Sequence, residues 1–327
     1  MQNKYIGHGI VTENVGGLYR VILEKDDMPL SGKTVSCNAR GILRHRDERP
    51  KAGDRVSLTY SDHSFCLNEY GERVPSENGA DIFLSEICER KNAFIRPPVA
   101  NLDYLFLVLS SRSPQTLPLL ADKMISIAEH SKVEPIIIVS KSDLDGDTAE
   151  ELYGIYKKAG FSVYKVSSAE GDGIDILSAD IEKMLSCGHI AAFAGASGVG
   201  KSTLLNKLFP HLSLQTYEVS RKTERGRHTT RAVTLYPVYG GYLADTPGFS
   251  MLDFERFDFF GKDELLDTFR DFSPYTDKCR YADCSHTKEE GCAVLEAVRN
   301  GEISKSRHES YLDMYNVLKQ KPAWAKK

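Results

Sequence analysis

The chain has 327 residues, of which 41% are hydrophobic and 27% are charged, and its formal net charge is −4. This balance is typical of a globular protein and excludes both a disordered chain and a uniformly basic nucleic-acid binder. No apolar stretch is long enough to cross a bilayer and no signal peptide is recognisable, so we expect a cytoplasmic protein of two or three domains with no membrane partner.

The first seventy-odd residues are predicted to be all-β. Short segments at Tyr5–Thr12, Leu18–Leu23 and Arg55–Tyr60 alternate apolar and polar residues, and turns rich in Gly and Asp separate them. About seventy residues of short strands fit a small Greek-key barrel, so we predict an OB-fold over residues 1–75. An SH3-like barrel is the alternative.

A basic segment lies inside this predicted barrel. We predict that its cationic side chains contact RNA phosphates, and the alternative is a solvated charged face. The candidates are Arg40, Arg44, Arg46, Arg49 and Lys51.

Residues 76–250 are predicted to form an α/β domain, entered through a linker that begins at Leu84. Apolar strand-like runs alternate with amphipathic helical segments, a pattern that predicts a doubly wound parallel sheet. The first strands are predicted at Leu102–Leu109, Pro135–Val139 and Phe161–Val166, and the first helices at Leu117–His130, Thr148–Ala159 and Gly173–Leu185.

The second of these strands delivers Ser140-Lys141-Ser142-Asp143 at its carboxyl end, where α/β sheets place ligand contacts. Asp143 can accept two N–H groups of guanine, and the stem of Lys141 can lie along the ring. Ser140 stands where Asn or Thr is usual and offers a shorter hydroxyl. After the third strand, Ser167-Ser168-Ala169 is the candidate for a further guanine-contacting loop.

A phosphate-binding loop follows the apolar run that ends at Ala194. A strand, a glycine-rich turn and a helix in succession present unpaired N–H donors to an anion. Lys201 is predicted to reach the β- and γ-phosphates, and Ser202 to ligate Mg²⁺. The predicted loop comprises Gly195, Ala196, Ser197, Gly198, Val199, Gly200, Lys201, Ser202 and Thr203.

A polar segment without apolar periodicity, residues 221–231, is predicted to be a switch loop. Such a loop needs a hydroxyl that joins Mg²⁺ when the γ-phosphate is present, and Thr229 or Thr230 can supply it. We favour Thr230, which stands just before the next strand. A solvated basic loop is the alternative interpretation of this segment.

The last nucleotide motif is Asp245-Thr-Pro-Gly248. Asp245 is predicted to hold Mg²⁺ through a water molecule, and the Gly248 N–H is predicted to donate a hydrogen bond to the γ-phosphate. The position that holds a water-orienting Gln in Ras-like enzymes holds Phe249 here. His228 is therefore a candidate for orienting the water, and a group from a partner or from the substrate is the alternative.

The order of these motifs is their most informative property. The candidate base-reading segment at residues 140–143 precedes the phosphate loop, whereas a GTPase without rearrangement carries it afterwards. Nothing comparable follows Gly248. This order predicts a circularly permuted P-loop GTPase that converts GTP to GDP and phosphate.

A Cys/His cluster follows in the C-terminal region, residues 251–327, for which helices are predicted at Ala293–Asn300 and Ser304–Leu318. Three thiols and one imidazole within fourteen residues suit a tetrahedral Zn²⁺ with no open position, and hence a structural metal. Disulfides are the alternative. The predicted ligands are Cys279, Cys284, His286 and Cys292.

The combination of a β-barrel, a permuted GTPase and a Cys-Cys-His-Cys site resembles the ribosome small-subunit-dependent GTPase A family. The resemblance rests on the sequence motifs at residues 90–103, 195–202, 226–231 and 243–249 and on the spacing of the four metal ligands. It implies an OB-fold, GTP hydrolysis stimulated by the small ribosomal subunit, binding to its rRNA, and a checkpoint role in late maturation of that subunit. We expect a monomer.

Two other classes remain open from the sequence. One is a GTPase that acts on tRNA or in metal trafficking, with the Cys/His cluster as a cargo site. The other is a binding module with a vestigial nucleotide site. The intact set of Lys201, Ser202, Asp245 and Asp143 argues against the latter.

Overall fold

The computed structural model describes residues 4–24, 32–41, 43, 49–61, 64–67, 73–75, 82–94, 97–212, 233–245 and 260–320. The chain divides into two compact units. The first contains Met1–Leu102, Leu185–Ala192 and Glu224–Pro247, and the second contains Asp103–Met184, Phe193–Thr223 and Gly248–Lys327. The domain limits predicted from the sequence, after residues 75 and 250, remain predictions.

The N-terminal strands form a closed barrel. The strands of this region are β1 (Lys4–Val15), β2 (Leu18–Leu23), β3 (Thr34–Ala39), β4 (Arg55–Ser61), β5 (Phe65–Leu67), β6 (Arg73–Pro75) and β7 (Phe83–Ile87). β5 and β6 form a small separate hairpin, and the other five strands form the barrel. The barrel order is β1-β2-β3-β7-β4. β3 and β7 are parallel, whereas β1 is antiparallel to β2 and β4, β2 to β3, and β4 to β7. A five-stranded Greek-key barrel confirms the predicted OB-fold.

The interior of the barrel is filled by alternate side chains of its strands, because successive residues of a strand point to opposite faces. Val21, Cys37 and Leu58 are fully buried in this core, and Leu84 brings β7 into it. The segment from Leu84 onward was predicted to be a linker. The structure instead uses its first residues as the strand that closes the barrel.

After β7 an ion pair between the partly exposed Arg90 and the buried Asp54 fastens the chain to the barrel. Arg90 donates from Nε and Nη2 to the two carboxylate oxygens of Asp54, at 2.7 and 2.8 Å. Asn101 donates to the carbonyl of Gly53 at 2.9 Å. A Cβ at Gly53 would lie 2.1 Å from the carbonyl oxygen of Ala100, so this close approach requires glycine.

The second sheet has six strands in the order β10-β9-β8-β11-β13-β12. Its strands are β8 (Tyr104–Ser110), β9 (Glu134–Ser140), β10 (Ser162–Val166), β11 (Ile190–Ala194), β12 (Thr234–Val238) and β13 (Gly241–Asp245). β8 is parallel to β9, β9 to β10 and β11 to β13, whereas β12 is an antiparallel edge strand. The central strands β8, β9 and β11 are almost continuously buried, which explains their uninterrupted apolar runs.

Helices follow the strands of this sheet in alternation, as the sequence predicted. They are α1 (Pro118–His130), α2 (Gly146–Lys158), α3 (Ile174–Leu185) and α4 (Lys201–Leu208). α1 begins with a proline at its first position, where no backbone N–H is needed. None of the helices in the described part of the chain is long and apolar enough to cross a membrane.

The described part of the C-terminal region, residues 260–320, is helical and belongs to the second compact unit. It contains two short 3₁₀ turns and the helices α5 (Ser273–Thr276), α6 (Ala293–Arg299) and α7 (Lys305–Gln320). α7 packs against α1, and a buried guanidinium joins them: Arg307 of α7 donates to Asp122 of α1 at 2.7 Å and to Asp271 at 2.8 Å.

Candidate functional site: nucleotide loops and a metal cluster

The predicted phosphate loop lies between β11 and α4. Gly195 has a φ of +144°, and a Cβ there would lie 2.4 Å from the carbonyl oxygen of Val108. Gly200 has a φ of +95° and occupies the N-cap of α4. These backbone conformations favour glycine and aim the first N–H groups of α4 at the space above the loop.

Lys201 is the first residue of α4, and its ammonium group lies over the phosphate loop. Nζ donates to the carbonyl oxygens of Gly195 at 2.6 Å and Ala196 at 3.3 Å. Burial lowers the pKa of Lys201. Ser202 and Thr203 are exposed at the same helix end. The loop therefore combines a cation, two hydroxyls and the first backbone N–H groups of a helix, which together suit a polyphosphate.

The predicted base-reading loop follows β9 and contacts the phosphate loop directly. The buried hydroxyl of Ser140 lies 2.6 Å from the carbonyl oxygen of Val199 and 3.0 Å from that of Leu109. Nζ of Lys141 donates to the carbonyl of Gly198 at 2.9 Å. Ser140 and Lys141 thus brace one loop against the other, although 59 and 57 residues of sequence separate the paired groups.

Asp143 lies at the exposed tip of this loop, where its carboxylate is open to a ligand. The candidate second guanine loop lies beside it: β10 is parallel to β9, with Val166 opposite Ser140, and the Ser142 N–H donates to the carbonyl of Val166. Ser167, which follows Val166, is fully buried, and its hydroxyl accepts from the Glu170 N–H at 3.1 Å. Ser168 is partly exposed and Ala169 is exposed.

Asp245 is the last residue of β13. Because β13 is parallel to β11, with Ala244 opposite Ala192, Asp245 lies at the carboxyl end of the sheet. Burial raises the pKa of Asp245. A neighbouring divalent cation would oppose that effect and hold the carboxylate ionised.

Several predicted residues fall outside the described part of the chain. These are Arg44, Arg46, His228, Thr229, Thr230, Gly248 and Phe249. Their predicted roles in RNA contact, in the switch and in water orientation stay predictions.

The four predicted metal ligands converge on one point. Their ligand atoms all lie within 4.8 Å of one another, with His286 and Cys292 buried and Cys279 and Cys284 partly exposed. Sγ of Cys279 lies 3.9 Å from Sγ of Cys292, and each lies 3.5 Å from Nδ1 of His286. Tetrahedral Zn²⁺, with bonds of about 2.3 Å to sulfur and 2.05 Å to nitrogen, requires edges of roughly 3.5–3.8 Å. The donor set therefore fits such an ion.

The loop that carries these ligands is held by hydrogen bonds from outside the cluster. The Glu289 carboxylate accepts from the backbone N–H groups of Ser285, Thr287 and Lys288 at 2.9–3.1 Å. Burial raises the pKa of Glu289, but hydrogen bonds from the Ser285 hydroxyl and from the backbone of residues 287–289 outweigh it and bring the value to about 2. His308 and Tyr311 of α7 donate to the carbonyls of His286 and Ser285, at 2.9 and 3.0 Å.

Three of the predicted RNA-contacting residues are described, and all belong to the barrel unit. Arg40 is exposed and donates to the Thr59 hydroxyl at 2.8 Å. Arg49 is exposed, and its carbonyl accepts from Arg90. Lys51 donates to the carbonyl of Phe94 at 2.9 Å, and burial lowers its pKa. Arg40 and Arg49 therefore present the more accessible cations.

A segment that the sequence did not single out contacts both nucleotide loops. We call residues 111–117, between β8 and α1, the β8–α1 loop. Ser111 donates to the carbonyl of Lys141 at 2.8 Å, and the carbonyl of Ser113 accepts from Nζ of Lys141 at 2.8 Å. The signal that could have found this loop was its position, because it follows the carboxyl end of a buried parallel strand.

A phosphate loop after β11 and a base loop after β9 define a P-loop GTPase. Since β9 precedes β11 in the chain while both loops meet at one edge of the sheet, the domain is a circularly permuted GTPase.

Comparison with known proteins agrees with this class. A family model described as RsgA GTPase matches residues 87–255. The chain is 36% identical to the small ribosomal subunit biogenesis GTPase RsgA of Bacillus subtilis, over 96% of this chain and 98% of that protein. It is likewise 36% identical to the protein of that name from Ruminiclostridium cellulolyticum, over 97% of this chain and 95% of the other.

Two solved structures share the fold. YjeQ from Thermotoga maritima has a TM-score of 0.76 and 31% identity, over 97% of this chain and 100% of that one. YloQ, described as a circularly permuted GTPase, has a TM-score of 0.73 and 33% identity, over 97% of each chain. The chain belongs to the RsgA GTPase family, and it is an enzyme that hydrolyses GTP.

Proposed function

We propose that this protein is a GTPase stimulated by the small ribosomal subunit. It acts as a checkpoint in late maturation of that subunit, binds its rRNA, and couples GTP hydrolysis to its own release. The observation that carries the proposal is full-length similarity to relatives named small ribosomal subunit biogenesis GTPases, across barrel, permuted GTPase and metal cluster together. The protein acts as a monomer in the cytoplasm.

In the proposed nucleotide site, Lys201 binds the β- and γ-phosphates, and Asp143 accepts the N1 and N2 hydrogens of guanine. Mg²⁺ held by Ser202, Thr230 and Asp245 would neutralise charge on the phosphates. The position of Lys201 over the loop carbonyls supports its part, because the same ammonium can turn to phosphate oxygens. The exposure of Asp143 supports its role in base recognition.

Water orientation is proposed to involve His228, because Phe249 offers no hydrogen-bonding group at the position of the usual Gln. Slow intrinsic turnover that a partner accelerates follows from this arrangement. The His228→Ala variant should lose stimulated hydrolysis while retaining GTP binding. Unchanged intrinsic and stimulated rates would remove His228 from the mechanism.

Binding to rRNA is proposed to use the cations of the barrel, Arg40, Arg44, Arg46, Arg49 and Lys51. The metal cluster is proposed to hold one structural Zn²⁺, because four protein ligands leave no open position for catalysis. In the sequence, the predicted switch region at Gly248 is followed at once by the C-terminal region, residues 251–327, which carries this cluster. Loss of the γ-phosphate can therefore alter affinity for the ribosome through the C-terminal region.

The first test measures GTP hydrolysis with and without purified small ribosomal subunits, with Lys201→Ala as the matched blank. We expect strong stimulation for the wild type and at least a roughly 100-fold loss in the variant. Slow hydrolysis that is indifferent to the subunit would contradict the proposal.

A second test compares affinities for the small subunit by sedimentation. We expect tighter binding with a non-hydrolysable GTP analogue than with GDP, since hydrolysis is proposed to release the protein. Equal affinities of the two nucleotide-bound forms for the small subunit would contradict the proposed coupling between hydrolysis and release.

A further inference from the structure

The β8–α1 loop holds the base-reading loop through Ser111, a buried residue with 2% of its surface exposed. Its backbone N–H donates to the carbonyl of Ser140 at 3.2 Å. Its hydroxyl lies 2.8 Å from the carbonyl oxygen of Lys141 and 3.3 Å from that of Ser140. The single hydroxyl hydrogen therefore favours Lys141, and Ser111 binds two consecutive carbonyls of the base-reading loop.

The residue whose carbonyl is held has an unusual backbone. Lys141 has a φ of +58°, in the left-handed region that residues with a long side chain rarely adopt. Its carbonyl also accepts the N–H of Leu144 at 3.0 Å, which closes the turn carrying Asp143. The orientation of this one carbonyl therefore fixes where the Asp143 carboxylate stands, and the Ser111 hydroxyl stabilises that orientation.

The same loop also contacts the phosphate loop. Nζ of Lys141 lies between the carbonyl oxygens of Ser113 and Gly198, at 2.8 and 2.9 Å. A Cβ at Gly198 would lie 3.2 Å from Cδ of Pro114, so the proline ring lies close to the backbone at Gly198. The β8–α1 loop is thus a common support for both nucleotide loops.

We propose that Ser111 is a positioning residue for guanine recognition: by holding the Lys141 carbonyl it places Asp143 against the N1 and N2 hydrogens of the base. The inference rests on the proposed role of Asp143. Ser111 does not touch the nucleotide, and its effect is exerted through the conformation of residues 140–144.

Base selectivity separates this role from a general contribution to folding. GDP offers Asp143 both N1–H and the exocyclic amine, whereas inosine diphosphate offers N1–H alone. A displaced carboxylate weakens two bonds to GDP and one to inosine diphosphate. We expect Ser111→Ala to lower the ratio of GDP to inosine diphosphate affinity about tenfold, which corresponds to one hydrogen bond of about 1.4 kcal/mol.

The experiment uses calorimetric titration of the full-length protein with GDP and inosine diphosphate. Ser126→Ala is the matched control, because Ser126 is a buried serine of α1 whose hydroxyl has no hydrogen-bond partner within the described structure. Its ratio should equal that of the wild type. Thermal melting establishes that each variant is folded. Ser111→Cys, which keeps the volume with a weaker donor, replaces Ser111→Ala if the latter does not fold.

Asp143→Asn makes the two levels of the proposal distinguishable. Its amide can donate to the extra oxygen of xanthine, so the variant should bind xanthosine diphosphate more tightly than GDP. If it does so while Ser111→Ala keeps the wild-type ratio, the role of Ser111 is wrong and that of Asp143 stands. If Asp143→Asn leaves base preference unchanged, guanine recognition by Asp143 itself is wrong.

Discussion

Ser140 illustrates what a single residue does in this fold. The sequence presents it as a short substitute for a base-contacting Asn or Thr. In the structure its hydroxyl is buried against the carbonyls of Leu109 and Val199. Ser140 therefore supports the phosphate loop, a task for which a short side chain is suitable because the two backbones are close.

Gly195 offers the sharpest prediction for a single residue. Because a Cβ there would lie 2.4 Å from the Val108 carbonyl oxygen, Gly195→Ala must displace either β8 or the phosphate loop. We expect a fall in GTP and GDP affinity of at least about tenfold with the overall fold retained. Gly154→Ala, in α2 with open space around it, is the control. Wild-type affinity for Gly195→Ala would contradict the tight approach.

Among the larger elements, the barrel contains a buried ionisable group. Burial raises the pKa of the Cys37 thiol from 9.0 to about 12, although a backbone hydrogen bond with Leu84 lowers it in part. The folded barrel therefore favours the neutral thiol. The contribution of the Cys37 thiol to stability is complete below pH 9, where the thiol is neutral in the unfolded chain as well. This contribution is lost as the pH rises from 9 through 12, because the unfolded chain then ionises Cys37 more readily than the folded barrel does.

We accordingly expect the wild type to lose about 3 kcal/mol of stability relative to Cys37→Ala between about pH 8 and pH 11, the range in which unfolding is measured. Urea unfolding of both proteins by circular dichroism between about pH 8 and pH 11 measures the difference. Parallel pH curves for the two proteins would show that Cys37 does not titrate as a buried group.

The metal loop and α7 form a second coupled element. His308 and Tyr311 bind loop carbonyls whose positions depend on the four convergent ligands. Chelation should therefore release one metal ion per chain and increase hydrogen exchange in residues 279–320. Cys279→Ser should prevent metal binding, whereas Cys187→Ser, at an exposed cysteine outside the cluster, should not. Unaltered exchange after complete metal removal would contradict a structural site.

For the molecule as a whole, a buried arginine is among the groups that connect the C-terminal region to the α/β domain. Arg307 is fully buried between Asp122 and Asp271, and its guanidinium lies 4.4 Å from the ring centre of Phe269. Burial raises the pKa of Asp122, and Arg307 opposes this. The C-terminal helices are thus anchored to α1, and α1 follows the loop that supports both nucleotide loops.

Arg307→Met should cost about 3–5 kcal/mol of unfolding free energy, because it leaves two buried carboxylates without a counter-charge. Combining it with Asp122→Asn and Asp271→Asn should recover most of that loss. Lys305→Met, at an exposed position of the same helix, should change stability by less than about 0.5 kcal/mol. A loss for Arg307→Met as small as that for Lys305→Met would exclude this anchor.

The class of the protein and most of its elements could be predicted from local sequence. Long buried runs such as Ile136–Val139 and glycine-rich turns such as that at Gly195 have strong local causes, namely burial on both faces of a sheet and positive backbone angles. The order of the motifs along the chain indicated the permutation, and the spacing of cysteines and histidine indicated the metal cluster. Each of these signals is carried by a short stretch of sequence or by the order of such stretches along the chain.

The features that join distant residues could be found only in the folded chain. Phe83–Ile87 becomes a barrel strand because it pairs with both β3 and β4 and so closes the barrel between them. Its five residues show only a weak alternation of buried and exposed side chains. Ser111 and Arg307 find their partners 30 and 185 residues away. Buried polar groups of this kind are matched by geometry in the folded state, and their partners leave no mark in the neighbouring sequence.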